Sequence, residues 1–177
     1  ALDAAALLRR GSFSTEALET AAAGAQLDRR DAALCARIVL STVQNLGYID
    51  YVLSLYSKTR LQKLEATVLD ILRISAAQLL YLDRVPAGAA VSEGVELCRT
   101  RGKARAAGLV NGVLRRVAEN RHNIPEVPGA GTAEHLSVKY SHPLWLTGYL
   151  VGRRGYEGAE AVLREDNAIP PLTLQVN

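Results

Sequence analysis

Between residues 62 and 82 the chain carries Leu64, Val68, Leu69, Ile71, Leu72, Ile74, Leu79, Leu80 and Leu82, leaving only a narrow polar stripe that includes Lys63, Asp70 and Arg73. A helix that is apolar around most of its circumference has to be surrounded by other elements. The segment therefore predicts a central helix, and the rest of the sequence must supply the helices that cover it. With 177 residues, the chain is long enough for one well-buried domain with residues to spare.

Helices are legible on both sides of this segment. Residues 1–10 are rich in Ala and Leu and end at Gly11, and Ser14 or Thr15 reads as the N-cap of a helix over residues 16–25. Residues 29–46 place Ala33, Ala36, Arg37, Leu40, Val43 and Gln44 at helical spacing, with Gly47 as the break. Residues 48–56 put Ile49, Val52, Leu53 and Tyr56 on one side. After the apolar segment, Val85-Pro86 interrupts the chain, and proline suits the first turn of the next helix, which runs to Thr100. Gly102 then separates it from a helix over residues 103–120.

The stretch NIPEVPGAGTAE, residues 123–134, interrupts any regular element with two prolines and two glycines. It divides the chain into a helical domain over residues 1–122, a linker over 123–133 and a helical connector over 134–177. In the connector, helices are expected over 133–140, 143–153 and 156–167, with His142-Pro143 as a turn and Trp145 packed nearby. Last comes PPLTLQVN, in which Leu172, Leu174 and Val176 alternate with polar residues at the period of a strand. A lone strand leaves its backbone donors and acceptors unpaired. Its partners are therefore expected in further sequence or in another chain, and the chain reads as the front part of a longer protein; a loosely packed tail is the competing reading.

Charge is modest overall, with a formal net of +3, but cations cluster from Arg99 to Arg121. On the helix from Lys103, residues Ala106, Val110, Val113, Leu114 and Val117 form one apolar stripe. Ala104, Arg105, Gly108, Gly112 and Arg116 fall on a different face. Small residues there expose backbone to a bulky anion or to another helix, and flanking guanidiniums grip phosphate with paired donors. The expected RNA-contacting set is Arg99, Arg101, Lys103, Arg105, Arg115, Arg116 and Arg121. The competing reading is a tight helix crossing at the glycines, with solvated arginines.

Other chemistry finds little support. No glycine-rich loop follows a strand, so nucleotide cradling lacks a local basis. His122, His135 and His142 have no metal-ligand spacing, and no metal is expected. Cys35 and Cys98 sit alone in apolar helical contexts and read as buried thiols. Glu93 and Glu96 read as a solvated face. Aromatic residues make up only 5% of the chain, which argues against a single-strand surface built from stacking platforms. No apolar run approaches the roughly 20 residues that span a bilayer. With no charged-then-apolar leader at the start, a cytoplasmic location is expected.

The segments LYLDRVPAGAAVSEGVELCR, residues 80–99, and GLVNGVLRRV, residues 108–117, resemble the helical domain of the NusB type. That domain occurs in a transcription antitermination factor and at the front of a bacterial rRNA methyltransferase family. HLSVKYSHPLWL and LREDNAIPPLTLQVN are similar to the connector of the 16S rRNA cytosine-5 methyltransferase. The resemblance implies an all-α fold, a NusB-like bundle followed by a short helical connector and one terminal strand-like segment. It also implies ribosomal RNA as partner and a covalently following methyltransferase domain. That domain would use S-adenosylmethionine and a cysteine nucleophile; neither the cofactor loop nor the Pro-Cys motifs occur here, so this chain is expected to hold no cofactor and no catalytic residue. An antitermination-type module binding RNA with a protein partner is the alternative.

Overall fold

The computed structural model describes residues 1–168. Every regular element among them is a helix: α1 (Leu2–Arg9), α2 (Ser14–Gly24), α3 (Arg29–Gln44), α4 (Leu46–Tyr56), α5 (Ala66–Tyr81), α6 (Ala87–Thr100), α7 (Ala107–Asn120), α8 (Ala133–Tyr140) and α9 (Leu144–Asp166). Short 3-10 turns at Leu61–Lys63 and Ala104–Ala106 lead into α5 and α7. The all-α architecture expected from the sequence is thus observed. The strand pattern expected over residues 170–177 lies outside the described residues. No single helix among the described residues is long and apolar enough to cross a membrane.

The chain divides into two compact units, Ala1–Glu126 and Val127–Asn177. In the first, α5 packs against α1, α3, α4, α6 and α7. Ile71, Leu72, Ala76 and Ala77 on α5 are fully enclosed, together with Ile49, Val52 and Leu53 of α4 and Val110, Leu114 and Val117 of α7. Burying a Leu- or Ile-sized side chain in this way contributes about 1.5–3 kcal/mol. The central helix follows from that pattern. Two positions of its polar stripe are engaged within the bundle, whereas Lys63, in the turn before it, is exposed. Asp70 is buried and accepts a bond from Arg9 Nε at 3.0 Å, while Arg73 grips Asp50 through two bonds of 2.8 and 2.6 Å.

Helix ends show where local signals hold. Asp28 caps α3 by accepting from the Asp31 amide at 2.7 Å, and Gly11 and Gly102 end their helices at φ of +100° and +70°, values that glycine adopts without penalty. Ser14 is the first residue of α2 rather than its cap; the Phe13 carbonyl accepts the first bond, from the Ala17 amide at 2.9 Å. The break after α3 falls at Asn45, two residues ahead of the expected Gly47. The Asn45 side chain donates to the Ser41 carbonyl at 3.0 Å while its own carbonyl accepts from Ile49. The two helices diverge there by 80°.

The face of α3 is the reverse of the sequence expectation. Cys35, Ile38, Val39 and Thr42 are buried, whereas Leu40 and Val43 are about half exposed. Both sides of α3 carry apolar residues at helical spacing, so periodicity alone does not select the side that meets α5 and α2. Cys35 and Cys98 are buried thiols, as expected, and burial pushes the Cys98 thiol up.

In the second unit, α8 and α9 enclose Leu136, Ala159 and Leu163, with Tyr140, Leu150, Val151 and Tyr156 packed around them. Thr132 caps α8 by accepting from the His135 amide at 3.2 Å. Gly155, at φ 70° and ψ 174°, breaks α9 into two helical stretches, which match the two expected on either side of it. The His142 ring contacts the Tyr140 carbonyl at 2.8 Å and Asp166 at 2.9 Å. Trp145, expected to pack nearby, is instead 73% exposed.

Gly94 sets the closest helix crossing. A Cβ there would lie 2.7 Å from Ser75 Oγ on α5 and 2.8 Å from Leu114 Cδ1 on α7. Adding a methyl group overpacks the site, so Gly94→Ala is expected to lower stability by about 1–2 kcal/mol after the gain in helix propensity. Gly112→Ala, which meets nothing within 4 Å, is expected to leave stability unchanged or raise it by up to about 1 kcal/mol. Urea denaturation of the two variants checks both; equal effects would refute this assignment of the crossing.

Candidate nucleic-acid interface

Packing of α7 determines what it presents to solvent. Val110, Val113, Leu114 and Val117 are buried, and the residues opposite them, Gly108, Gly112, Arg115 and Arg116, are exposed. Neither Gly108 nor Gly112 has any atom within 4 Å of the position a Cβ would take. The two glycines therefore make no helix crossing within this unit, and the backbone of α7 is bare over about one turn. Arg116 borders a shallow groove of about 240 Å³ lined also by Gly108, Gly112, Leu109, Tyr56 and Lys58. Lys58 comes from the turn after α4, whose helix packs on α7.

The seven cations singled out in the sequence separate into two groups. Arg99 pairs with Glu96 one turn earlier at 3.1 Å. Arg101 is held by Asp3 through two bonds of 2.6 and 2.8 Å, and Lys103 pairs with Glu65. Arg121 Nε donates to the neighbouring His122 ring at 3.0 Å. Arg105, Arg115 and Arg116 are exposed and have no ion pair among the described residues. Arg105 sits in the turn before α7, and Arg115 and Arg116 follow Gly112 on its exposed face. Glu119, a turn further on, is also exposed.

Such an arrangement offers solvent-exposed guanidiniums with no carboxylate partner among the described residues beside exposed helix backbone, which is suited to phosphate oxygens approaching closely. Sequence reading did not find Lys58, because it precedes α7 by about fifty residues and only the packing of α4 brings it to the groove. Among the described residues no group of three or more His, Cys, Asp or Glu is placed to hold a metal ion.

Pairing also has a pH signature. The guanidinium of Arg101, donating to Asp3, holds that carboxyl below its ordinary value. The stabilisation from this pair is therefore complete above the ordinary aspartate value and disappears as pH falls through the depressed one. Thermal unfolding of Asp3→Asn is expected to lie below that of the parent chain at neutral pH by a small margin, as for any exposed pair, and to converge with it in acid. Identical unfolding curves at every pH would refute a stabilising role for the pair.

Residues 2–119 match the NusB family. A Bacillus subtilis (strain 168) relative named "Probable ribosomal RNA small subunit methyltransferase B" is 32% identical over 167 residues, 94% of this chain and 37% of the relative. Its Synechocystis counterpart, of the same name, is 29% identical over 96% of this chain and 38% of its own length. The ribosomal RNA small subunit methyltransferase B of Escherichia fergusonii is 28% identical over 84% and 33% respectively. The chain thus spans less than two fifths of the length of these curated relatives. No solved structure matches it significantly. A family match over residues 2–119, on a bundle built around α5, establishes that this chain belongs to the NusB family.

Proposed function

We propose that this chain is the RNA-binding N-terminal region of a 16S rRNA 5-methylcytosine methyltransferase, and that it holds ribosomal RNA through phosphate contacts without performing the chemistry itself. The observation that carries the reading is the α7 face, where Arg105, Arg115 and Arg116 stand without ion pairs among the described residues, beside the bare backbone of Gly108 and Gly112. Phosphate contacts supply most sequence-independent affinity for nucleic acid. Lys58 adds a fourth cation from the turn after α4, and Arg99, Arg101 and Lys103, partly neutralised by their carboxylate partners, form a border together with Arg121, which donates to the His122 ring.

In this reading residues 1–122 form the NusB-like domain, 123–133 the linker and 134–177 the connector to a following methyltransferase domain in the cytoplasm. The similarity to methyltransferase relatives runs through the connector, covering 94–96% of the chain in two of them. That extent favours this reading over an antitermination factor, whose resemblance is confined to the bundle. In this reading S-adenosylmethionine is assigned to the following methyltransferase domain and not to these helices.

Binding to a 16S rRNA segment, measured by fluorescence anisotropy across a salt series, tests the reading. Affinity is expected to fall steeply with salt. The triple variant Arg105→Ala, Arg115→Ala, Arg116→Ala is expected to flatten the log-log slope by about 2–3, near 0.7–0.9 per lost phosphate contact. Affinity that is independent of salt, or unchanged in the triple variant, would refute the phosphate interface.

A further inference from the structure

The first stretch of α9 carries an unusual surface. Leu144, Trp145 and Tyr149 are 49%, 73% and 56% exposed, and Gly148 and Gly152 between them are also exposed, with nothing within 4 Å of a built Cβ. At 100° per residue these five positions share one side of the helix. The opposite side, with Thr147, Leu150 and Val151, faces the small core of the second unit. Over residues 144–152, LWLTGYLVG, there is no charged residue. Arg153 ends the patch with its guanidinium 5.4 Å from the centre of the Tyr149 ring, a cation–π contact that helps fix the ring's orientation.

We propose that this face of α9 is the docking surface for the methyltransferase domain of the longer protein, an inference that rests on the reading given under Proposed function. Large aromatic anchors surrounding small residues form the apolar centre of a protein interface, into which a partner's side chains seat against exposed backbone. Phosphate contacts call for cations, and residues 144–152 supply none, Arg153 standing at the edge of the patch. The length of the relatives identifies the occupant. They match this chain through α9, yet more than three fifths of each relative lies outside the match. A domain joined covalently to the connector reaches an adjacent face at high effective concentration.

Hydroxyl-radical footprinting with mass spectrometry reads Trp145 and Tyr149 individually, in this chain and in the protein encoded by the full natural reading frame. Both side chains are expected to oxidise several-fold more slowly in the full protein, and a Trp145→Ser, Tyr149→Ser variant is expected to make the junction between the regions more sensitive to protease. If the frame encodes a methyltransferase domain and the two residues oxidise equally in both proteins, the docking surface is refuted while the reading of the chain stands. If the frame encodes no such domain, that reading fails, and the docking proposal with it. Protection that appears in this chain alone on adding rRNA, or on raising its own concentration, would assign the face to RNA or to a second copy and overturn the proposal.

Discussion

Enclosure of α5 is the constraint on which the first unit depends. A helix with apolar side chains on nearly every side has no favourable position except among other helices, and α1, α3, α4, α6 and α7 each contribute a covering face. The crossing at Gly94 brings α6 within contact of Ser75 on α5 and Leu114 on α7, so the orientation of α7 is fixed by the same core. Because Val110, Val113, Leu114 and Val117 must point inward, Gly108, Gly112, Arg115 and Arg116 have to point out. The proposed interface is thus the reverse side of the core packing.

Electrostatics then sorts the cations. Near the start of α7, acidic residues distant in sequence engage Arg101 and Lys103, from Asp3 in α1 and Glu65 just before α5. These contacts tie the junction between α6 and α7 to the bundle and reduce the charge available there to a ligand. Further along α7 no carboxylate engages Arg115 or Arg116 among the described residues. Arg115 and Arg116, exposed and without a carboxylate partner among the described residues, therefore follow the bare backbone of Gly112.

Much of this was legible in the sequence where local chemistry decides. The apolar run of α5, the limits of α8, the break at Gly155 and the inward stripe of α7 all follow from periodicity and glycine placement. What escaped depends on which neighbour arrives. On α3 both faces carry apolar residues, and only the packing selects Cys35, Ile38 and Val39 over Leu40 and Val43. Asp70 lies on the narrow polar stripe of the central segment, but only the packing of α1 supplies Arg9 as its partner. Trp145, expected to pack near the His142-Pro143 turn, stands in solvent. Gly94 and Gly112 look alike in sequence, but one closes a three-helix contact and the other opens a surface.

The central claim, that the exposed face of α7 is where RNA meets this domain, is tested most directly by following backbone amide resonances while a 16S rRNA segment is titrated in. The account predicts that the largest shifts fall on Gly108, Gly112 and the residues around Arg105, Arg116 and Lys58, and that α3 is unaffected. Shifts confined to another face, with Gly108 and Gly112 unmoved at saturation, would contradict it.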